Sequence, residues 1–367
     1  MTSNTLNKRL IAFSCGDLNG VGLPLLMKIF GDPRILQMCT PILYASGRVV
    51  GFYRKDMGLQ DWNYNMIQEP SQAHPRKFNL INCWQDELNI KPGEADPKLS
   101  RYARISLNRA TADCLKGQVH GLVTLPIDKN LMHSEDFQFH GHTEYLEDAS
   151  RRHDSARFKG RSLMWLVADS LRVATLTGHV PLQEVAGQIN QASLTDKIMD
   201  MHSSLAFDFA INRPRIAVLG LNPHAGDGGL LGQEEMKVIQ PTIRQMRDQG
   251  LMVFGPYGAD GFWGTGAWSR FDAVLGMYHD QVLIPFKTLA FEQGVNFTGG
   301  LPIVRCSPDH GPAFEKAAEH SANPSSLMHS IFCTLDRIRT RAEQVDLAAN
   351  ARVKSYQNQE IESSEEA

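Results

Sequence analysis

The stretch Arg215–Glu235, RIAVLGLNPHAGDGGLLGQEE, constrains this chain more than any other part of it. It opens on Ile216-Ala217-Val218-Leu219, a short apolar run with β-branched residues between turn formers, which predicts a buried strand. It then breaks into Asn222-Pro223-His224-Ala225-Gly226-Asp227-Gly228-Gly229, where several glycines permit positive φ and close backbone approach to a ligand. From Gln233-Glu234-Glu235 the pattern turns helical, with acidic residues in the first turn. In open α/β sheets, ligands bind where strands of this kind end. The competing reading of the same residues is a long polar turn carrying a surface histidine.

The flanking sequence repeats the alternation of strand and helix. Strands are predicted at residues 10–16, 41–45, 79–84 and 121–126. Helices are predicted at 24–30 (with Pro24 in the first turn, where its missing N–H costs nothing), from the second strand to about Lys55, and at 100–116. Residues 162–169 and 171–178 read as two strands joined by a hairpin turn at Asp169-Ser170. A helix through Arg247, an apolar segment at 252–254, a buried strand at 273–277 and a last helix over 325–350 complete the pattern. The fold class is therefore α/β, a mostly parallel, doubly wound sheet. Residues 357–367 are polar and acidic and read as a frayed tail.

Bulk properties exclude several functions. Formal charge is −3 over 367 residues, so neither nucleic acid nor an anionic membrane surface is an expected partner. The six cysteines are scattered without a C-x-x-C, which predicts free thiols in a reducing compartment. The apolar run after Lys8-Arg9 fails at Ser14, too short for a signal peptide, and no stretch approaches transmembrane length, so the expectation is a cytoplasmic protein. No G-x-G-x-x-G with a Rossmann context, no P-loop and no G-x-S-x-G is present.

Three histidines stand at or just beyond strand ends: His179, His224 and His279. Imidazole is the commonest metal ligand, and three ligands with open positions suit a catalytic divalent ion; solvated loop histidines are the alternative. Asp260 is a further ligand or an outer carboxylate, or simply a helix N-cap. Lys287 and Arg305, with Asn296 between them, form a polar set suited to anion recognition and proton transfer. His142-Thr143 precedes a helix and offers a hydroxyl and backbone N–H groups to an anion, although an ordinary cap explains Thr143 equally well.

These segments, in order, resemble the 4-hydroxythreonine-4-phosphate dehydrogenase family of vitamin B6 synthesis. The resemblance runs through Gly16-Asp17…Gly20-Val21-Gly22, Val123-Thr124 with Lys129, Gly141-His142-Thr143-Glu144 and Gly178-His179-Val180-Pro181-Leu182. It continues through Gly220–Gly229, Tyr278-His279-Asp280-Gln281, Val295-Asn296, Gly300-Leu301-Pro302 with Arg305, and Asp309-His310-Gly311. Departures lie near ligand loops: Cys15 and Leu18-Asn19 replace the usual prolines around Gly-Asp, Pro312 follows His310-Gly311, and Glu315-Lys316 stands where an Asp and an apolar residue are usual.

The resemblance implies an isocitrate/isopropylmalate-dehydrogenase-like α/β/α fold of two domains, residues 1–134 with 298–350 and residues 135–297, followed by the acidic tail 351–367. It implies a homodimer with the active site in the interdomain and dimer cleft. His179, His224 and His279 would bind zinc, magnesium or cobalt, with ligands drawn from both subunits. His142, Thr143, Lys287, Asn296 and Arg305 would hold a phosphorylated substrate, with Asp260 beside them and Lys287 and Asp260 as the catalytic pair. His310, Gly311, Ala313 and Asn323 would contact NAD, with NADP as the alternative. The implied reaction is oxidation of 4-phosphooxy-L-threonine at C3 to 2-amino-3-oxo-4-phosphooxybutanoate, then decarboxylation to 3-amino-2-oxopropyl phosphate, toward pyridoxal 5'-phosphate. The rivals are a paralogue acting on phospho-threonate or phospho-erythronate, a metal-dependent lyase or hydrolase without nicotinamide, and a non-catalytic metabolite-binding protein.

Overall fold

A computed structural model describes residues 8–133, 137–139, 141–156, 158 and 160–351. His140 and the acidic tail beyond Ala351 lie outside them. The strands are β1 (Leu10–Ser14), β2 (Thr40–Ala45), β3 (Tyr64–Ile67), β4 (Phe78–Asn82), β5 (Gly121–Thr124), β6 (Leu163–Ala168), β7 (Leu171–Thr175), β8 (Ile216–Leu219), β9 (Val253–Tyr257), β10 (Ala273–Gly276), β11 (Val295–Gly299) and β12 (Arg305–Pro308). They form one sheet in the order β3-β4-β2-β1-β5-β12-β11-β6-β7-β10-β8-β9.

The α/β class stands, and the sheet is mostly parallel as expected, but its centre is not. From β3 to β12 every pair is parallel, and so is every pair from β7 to β9. Between these blocks β12-β11, β11-β6 and β6-β7 are antiparallel. The predicted hairpin is β6–β7, with Asp169 at φ 46 in its turn. Sequence reading left β3, β11 and β12 unassigned. β3 shows no alternation because only Ile67 of Tyr64–Ile67 is buried. β11 and β12 carry the polar residues Asn296, Thr298, Arg305 and Ser307, which break any apolar run.

Strands buried on both faces read as continuous apolar segments, and β2, β5, β8 and β10 are buried at every position. Helix Ser325–Ala349 packs across β12, β11 and β5, covering the join between the blocks. Helix Gln191–Phe209 lay in a middle region that the sequence left irregular. A capping box starts it, with Asn190 Oδ1 accepting from the Ser193 N–H at 2.9 Å and the Asn190 N–H donating back to Ser193 Oγ at 3.3 Å. Its buried stripe of Leu194, Ile198, Met201 and Leu205 has helical spacing. All six cysteines are free. Among the described residues no helix is long and apolar enough to cross a membrane.

The loop after β8 is tighter than a flexible glycine turn. His224, Ala225, Gly226, Asp227 and Gly228 are consecutive left-handed residues, and three of them are not glycine. Glu235 holds this turn: one carboxylate oxygen accepts from the Asn222 backbone N–H at 2.8 Å, the other from Asn222 Nδ2 at 2.9 Å. The acid that the sequence placed as a helix-dipole partner is thus 2% exposed and folded back under the loop. A π-helical turn, Glu235–Ile239, precedes helix Gln240–Asp248.

At the carboxyl end of β1, Gly16 turns with φ 63, and a Cβ there would lie 2.4 Å from the Pro126 carbonyl oxygen. The Asp17 N–H donates to that same oxygen at 2.8 Å, tying the ends of β1 and β5 together. The Asp17 carboxyl is 7% exposed, and burial, reinforced by Asp128 and Asp96, raises it from 3.8 to about 6, against the lowering effect of the Asn19 N–H. A folded-state pKa above the unfolded one means a contribution that is present below pH 3.8 and lost as pH rises through 6. Asp17→Asn should therefore be more stable than the wild type at pH 7 by about 2 kcal/mol, the gain shrinking toward pH 4. Urea midpoints of the two proteins across that range check this; a constant difference would show that Asp17 titrates normally.

Candidate active site

A cleft of about 510 Å³ opens where the two parallel blocks face each other across the antiparallel centre. His142, Thr143, His179, His279, Lys287, Asn296, Arg305, His310 and Gly311 all line it, so most of the residues singled out in the sequence converge on one place. Ala313 and Asn323 do not line it: Ala313 precedes a short helix at φ 44, and Asn323 Oδ1 accepts from the Ser325 N–H at 2.9 Å, just before the last helix. His224 and Asp260 are also elsewhere. They meet around Gly258, where a Cβ would be 3.4 Å from Asp260 Oδ1 and 3.5 Å from the His224 Cα.

Arg305 is the most constrained side chain of the cleft. It is 2% exposed, and no carboxylate pairs with it among the described residues. Nε and Nη2 donate to Thr124 Oγ1 at 3.1 and 2.6 Å, and Nη1 donates to Thr298 Oγ1 at 3.0 Å. Nη2 also lies 3.2 Å from His142 Nδ1. Burial lowers its pKa to about 10, which leaves it charged at neutral pH.

A guanidinium has donors only, so Nδ1 of His142 must accept, and the proton sits on Nε2. Burial, with Arg305 and Lys129 adding repulsion, holds the imidazole pKa well below 6.5, consistent with a neutral ring. The neighbouring helix His142–His153 begins after Gly141, with no side-chain cap. Thr143 is thus not the N-cap, and its hydroxyl is spared for the cleft.

Across the cleft, the His179 and His279 rings lie 5.4 Å apart, centroid to centroid. His279 Nδ1 is 2.6 Å from Asp280 Oδ1; the carboxylate favours a proton on Nδ1 and leaves the Nε2 lone pair for a ligand. Within one protomer the described residues contain no group of three His, Cys, Asp or Glu side chains placed to hold a metal.

Lys287 Nζ is 3.4 Å from Asp309 Oδ2, and burial raises the Asp309 pKa while Lys287 opposes the rise. Of the described residues that line the cleft, two carry a buried polar atom without a partner: Asn296 Oδ1 and His310 Nε2, whose ring bonds Gly311 O through Nδ1 at 2.9 Å. An orphaned buried polar atom costs roughly 1–3 kcal/mol, and in the cleft a ligand can supply the missing partner.

The lining holds four cationic side chains, Lys129, Lys197, Lys287 and Arg305, against two carboxylates, Glu144 and Asp309. Sequence reading missed Lys197 because its helix was unassigned. The available signal was a lysine at the rim of the Leu194–Ile198–Met201 stripe.

A mostly parallel α/β sheet with a cation-rich, histidine-lined cleft between two strand blocks defines the class: an α/β enzyme built for a small anionic ligand. The sequence model of the pyridoxal phosphate biosynthetic protein PdxA family matches residues 37–334. The 4-hydroxythreonine-4-phosphate dehydrogenase of Bacteroides thetaiotaomicron is 41% identical over 350 residues, 95% of this chain and 94% of its own. That of Prosthecochloris aestuarii is 35% identical, covering 86% and 93%. The crystal structure of the enzyme from Klebsiella pneumoniae superposes with a TM-score of 0.75 at 30% identity, covering 92% of this chain and 99% of its own. The chain belongs to the PdxA family, the 4-hydroxythreonine-4-phosphate dehydrogenases, and is an oxidoreductase of vitamin B6 biosynthesis.

The Arg305 cluster makes a direct prediction. Thr124→Val removes the acceptor of two guanidinium N–H groups and leaves them buried, at a cost of about 2 kcal/mol. Thr124→Ser keeps the acceptor and should stay near wild type. Denaturant midpoints check the pair, and equal stability of the Val and Ser variants would show that water replaces the hydroxyl.

Proposed function

We propose that the protein oxidises 4-phosphooxy-L-threonine at C3 with NAD, assisted by a divalent metal, and that the product loses CO₂ to give 3-amino-2-oxopropyl phosphate. The observation that carries this reading is the pairing within one cleft of a buried, carboxylate-free Arg305 with two converging imidazoles. An anionic substrate and a metal are the ligands those groups suit. When bound, the metal supplies Lewis acidity at the C3 oxygen and NAD accepts the hydride.

His179 and His279 fit a metal by donor chemistry, since Asp280 orients one of them. His224 is the third ligand in this reading, and in one protomer it lies apart from the other two. A homodimer resolves this, with His224 of the partner subunit joining the pair. Leu230 and Leu231, beside that loop, are 79% and 42% exposed, which suits a loop that another copy covers. Asp260, next to His224, travels with it. The two strand blocks act as the two domains that close on the cleft.

The chain's own residues have separable tasks. Thr143 and the Nε2–H of His142 donate to an anionic head, with the Arg305 charge behind them. Asn296 Oδ1 accepts from a substrate amine or hydroxyl. Lys287, in its amine form, takes the proton of the C3 hydroxyl, and Asp309 beside it stabilises the ammonium that results. Oxidation at C3 makes a β-keto acid, which loses CO₂ readily once the C1–C2 bond stands perpendicular to the plane of the C3 ketone, so that its electron pair passes into the enolate. His310 and Gly311 sit at the edge of the same cleft and are the nicotinamide-side contacts.

The direct test is absorbance of NADH on mixing protein, NAD, 4-phosphooxy-L-threonine and a divalent metal, repeated with a chelator. The expected result is NADH production that the chelator abolishes. A signal only with phospho-threonate or phospho-erythronate would move the assignment to a paralogue, and silence with all three would sink the dehydrogenase chemistry for this chain.

A further inference from the structure

Arg305 is the expected anion clamp of the cleft, yet its donors are spent. Of the five N–H groups of a guanidinium, four point at Thr124 (two), Thr298 and His142. It places positive charge behind the site and sets the His142 tautomer, but it has no free fork with which to grip an oxyanion. Lys287 is likewise engaged, with Asp309. A ligand with two anionic heads therefore needs a further cation.

Lys129, exposed and beside Gly141 and His142, belongs with the first head, which leaves Lys197. It lines the cleft from the helix Gln191–Phe209. The acids nearest in sequence are occupied elsewhere: Arg161 bonds both Asp196 and Asp200, the residues that flank Lys197 on the helix. Among the described residues Lys197 has neither an ion-pair nor a hydrogen-bond partner, so all three ammonium donors remain unused. Burial lowers its pKa from 10.5, the largest cause, with Asp200 opposing and Arg161 adding to the shift. A half-buried ammonium with no direct partner, its nearest carboxylate Asp200 being shared with Arg161, is costly to keep unless an anion arrives to pair with it.

We propose that Lys197 is a substrate-binding residue that seats the second oxyanion head of the ligand, opposite the head held by His142 and Thr143 with the Arg305 charge behind them. The inference rests on the reading that the substrate is a phosphorylated hydroxy amino acid, which carries one phosphate and one carboxylate. Both heads share the chemistry a lysine recognises, and the phosphorylated and unphosphorylated ligands separate them.

The experiment titrates 4-phosphooxy-L-threonine and, separately, L-4-hydroxythreonine into wild type, Lys197→Met and Lys197→Arg calorimetrically, alongside steady-state kinetics. Lys55→Met, an exposed lysine on a helix remote from the cleft, controls for net charge. Lys197→Met should weaken binding of the phosphorylated ligand by at least about tenfold, the scale of one charge-assisted hydrogen bond, with KM rising more than kcat falls. Lys197→Arg should recover most of the loss, and Lys55→Met should lose none. If the penalty disappears for L-4-hydroxythreonine, the seat takes the phosphate; if it persists there, the seat takes the carboxylate, and either result supports the proposal. Wild-type affinity and KM in Lys197→Met, in an enzyme that turns over 4-phosphooxy-L-threonine, overturn it while leaving the functional reading intact. If the wild type does not use that substrate, the functional reading has failed, and inorganic phosphate becomes the probe. Phosphate binding lost in Lys197→Met but retained in Lys55→Met then upholds the anion seat, and phosphate binding equal in both removes it.

Discussion

The buried guanidinium of Arg305 is the interaction on which the cleft depends. Its contacts join four separate pieces of chain: Thr124 at the end of β5, Thr298 on β11, its own strand β12, and His142 at the start of the helix that follows. A charge 98% removed from solvent is tolerable only if its donors are met, and here hydroxyls and an imidazole meet them in place of a carboxylate. The consequence is a net positive charge left within the cleft. An aspartate partner would have stabilised the apo fold better and cancelled the field that draws an anion in.

The sheet explains why these pieces meet. A parallel strand begins and ends at opposite edges, so a site made only from parallel strands gathers loops at one edge. The antiparallel centre β12-β11-β6-β7 brings strand interiors and strand ends from opposite directions to the same place. Asn296 and Arg305 come from the strands themselves, His179 and His279 from beyond the ends of the second block, and His142 from beyond the first. Rigid strands hold the polar groups, while loop and helix starts supply those that must adapt.

That same centre is where sequence reading was weakest, for a physical reason. The strands of the parallel blocks are buried on both faces and appear as apolar runs; Ile216–Leu219 and Ala273–Gly276 were legible on sight. β11 and β12 line the cleft and carry Asn, Thr, Arg and Ser, so function erased the hydrophobic period that would have revealed them. The site residues were legible through motifs that survive as short strings, such as Gly-His-Thr and Tyr-His-Asp-Gln. Lys197 belongs to no such string, and only its helix places it. Thr143 shows the reverse: sequence offered cap or ligand, and the structure sets the cap at Gly141 and Thr143 in the cleft lining.

The remaining tension is in the loop after β8. Three non-glycine residues in a left-handed run each carry a conformational cost of order 1 kcal/mol, and a buried glutamate is committed to holding them. Local stability does not account for such a turn, because an extended loop would relieve it. What the turn does accomplish is to present His224 outward at a fixed angle next to Asp260, with the backbone of Gly258 pressed between them. In the dimer proposed above, a His224 that joins the partner's cleft would have its direction set before the second copy arrives, and the hydrogen bonds of Glu235 to Asn222 are what would hold it there.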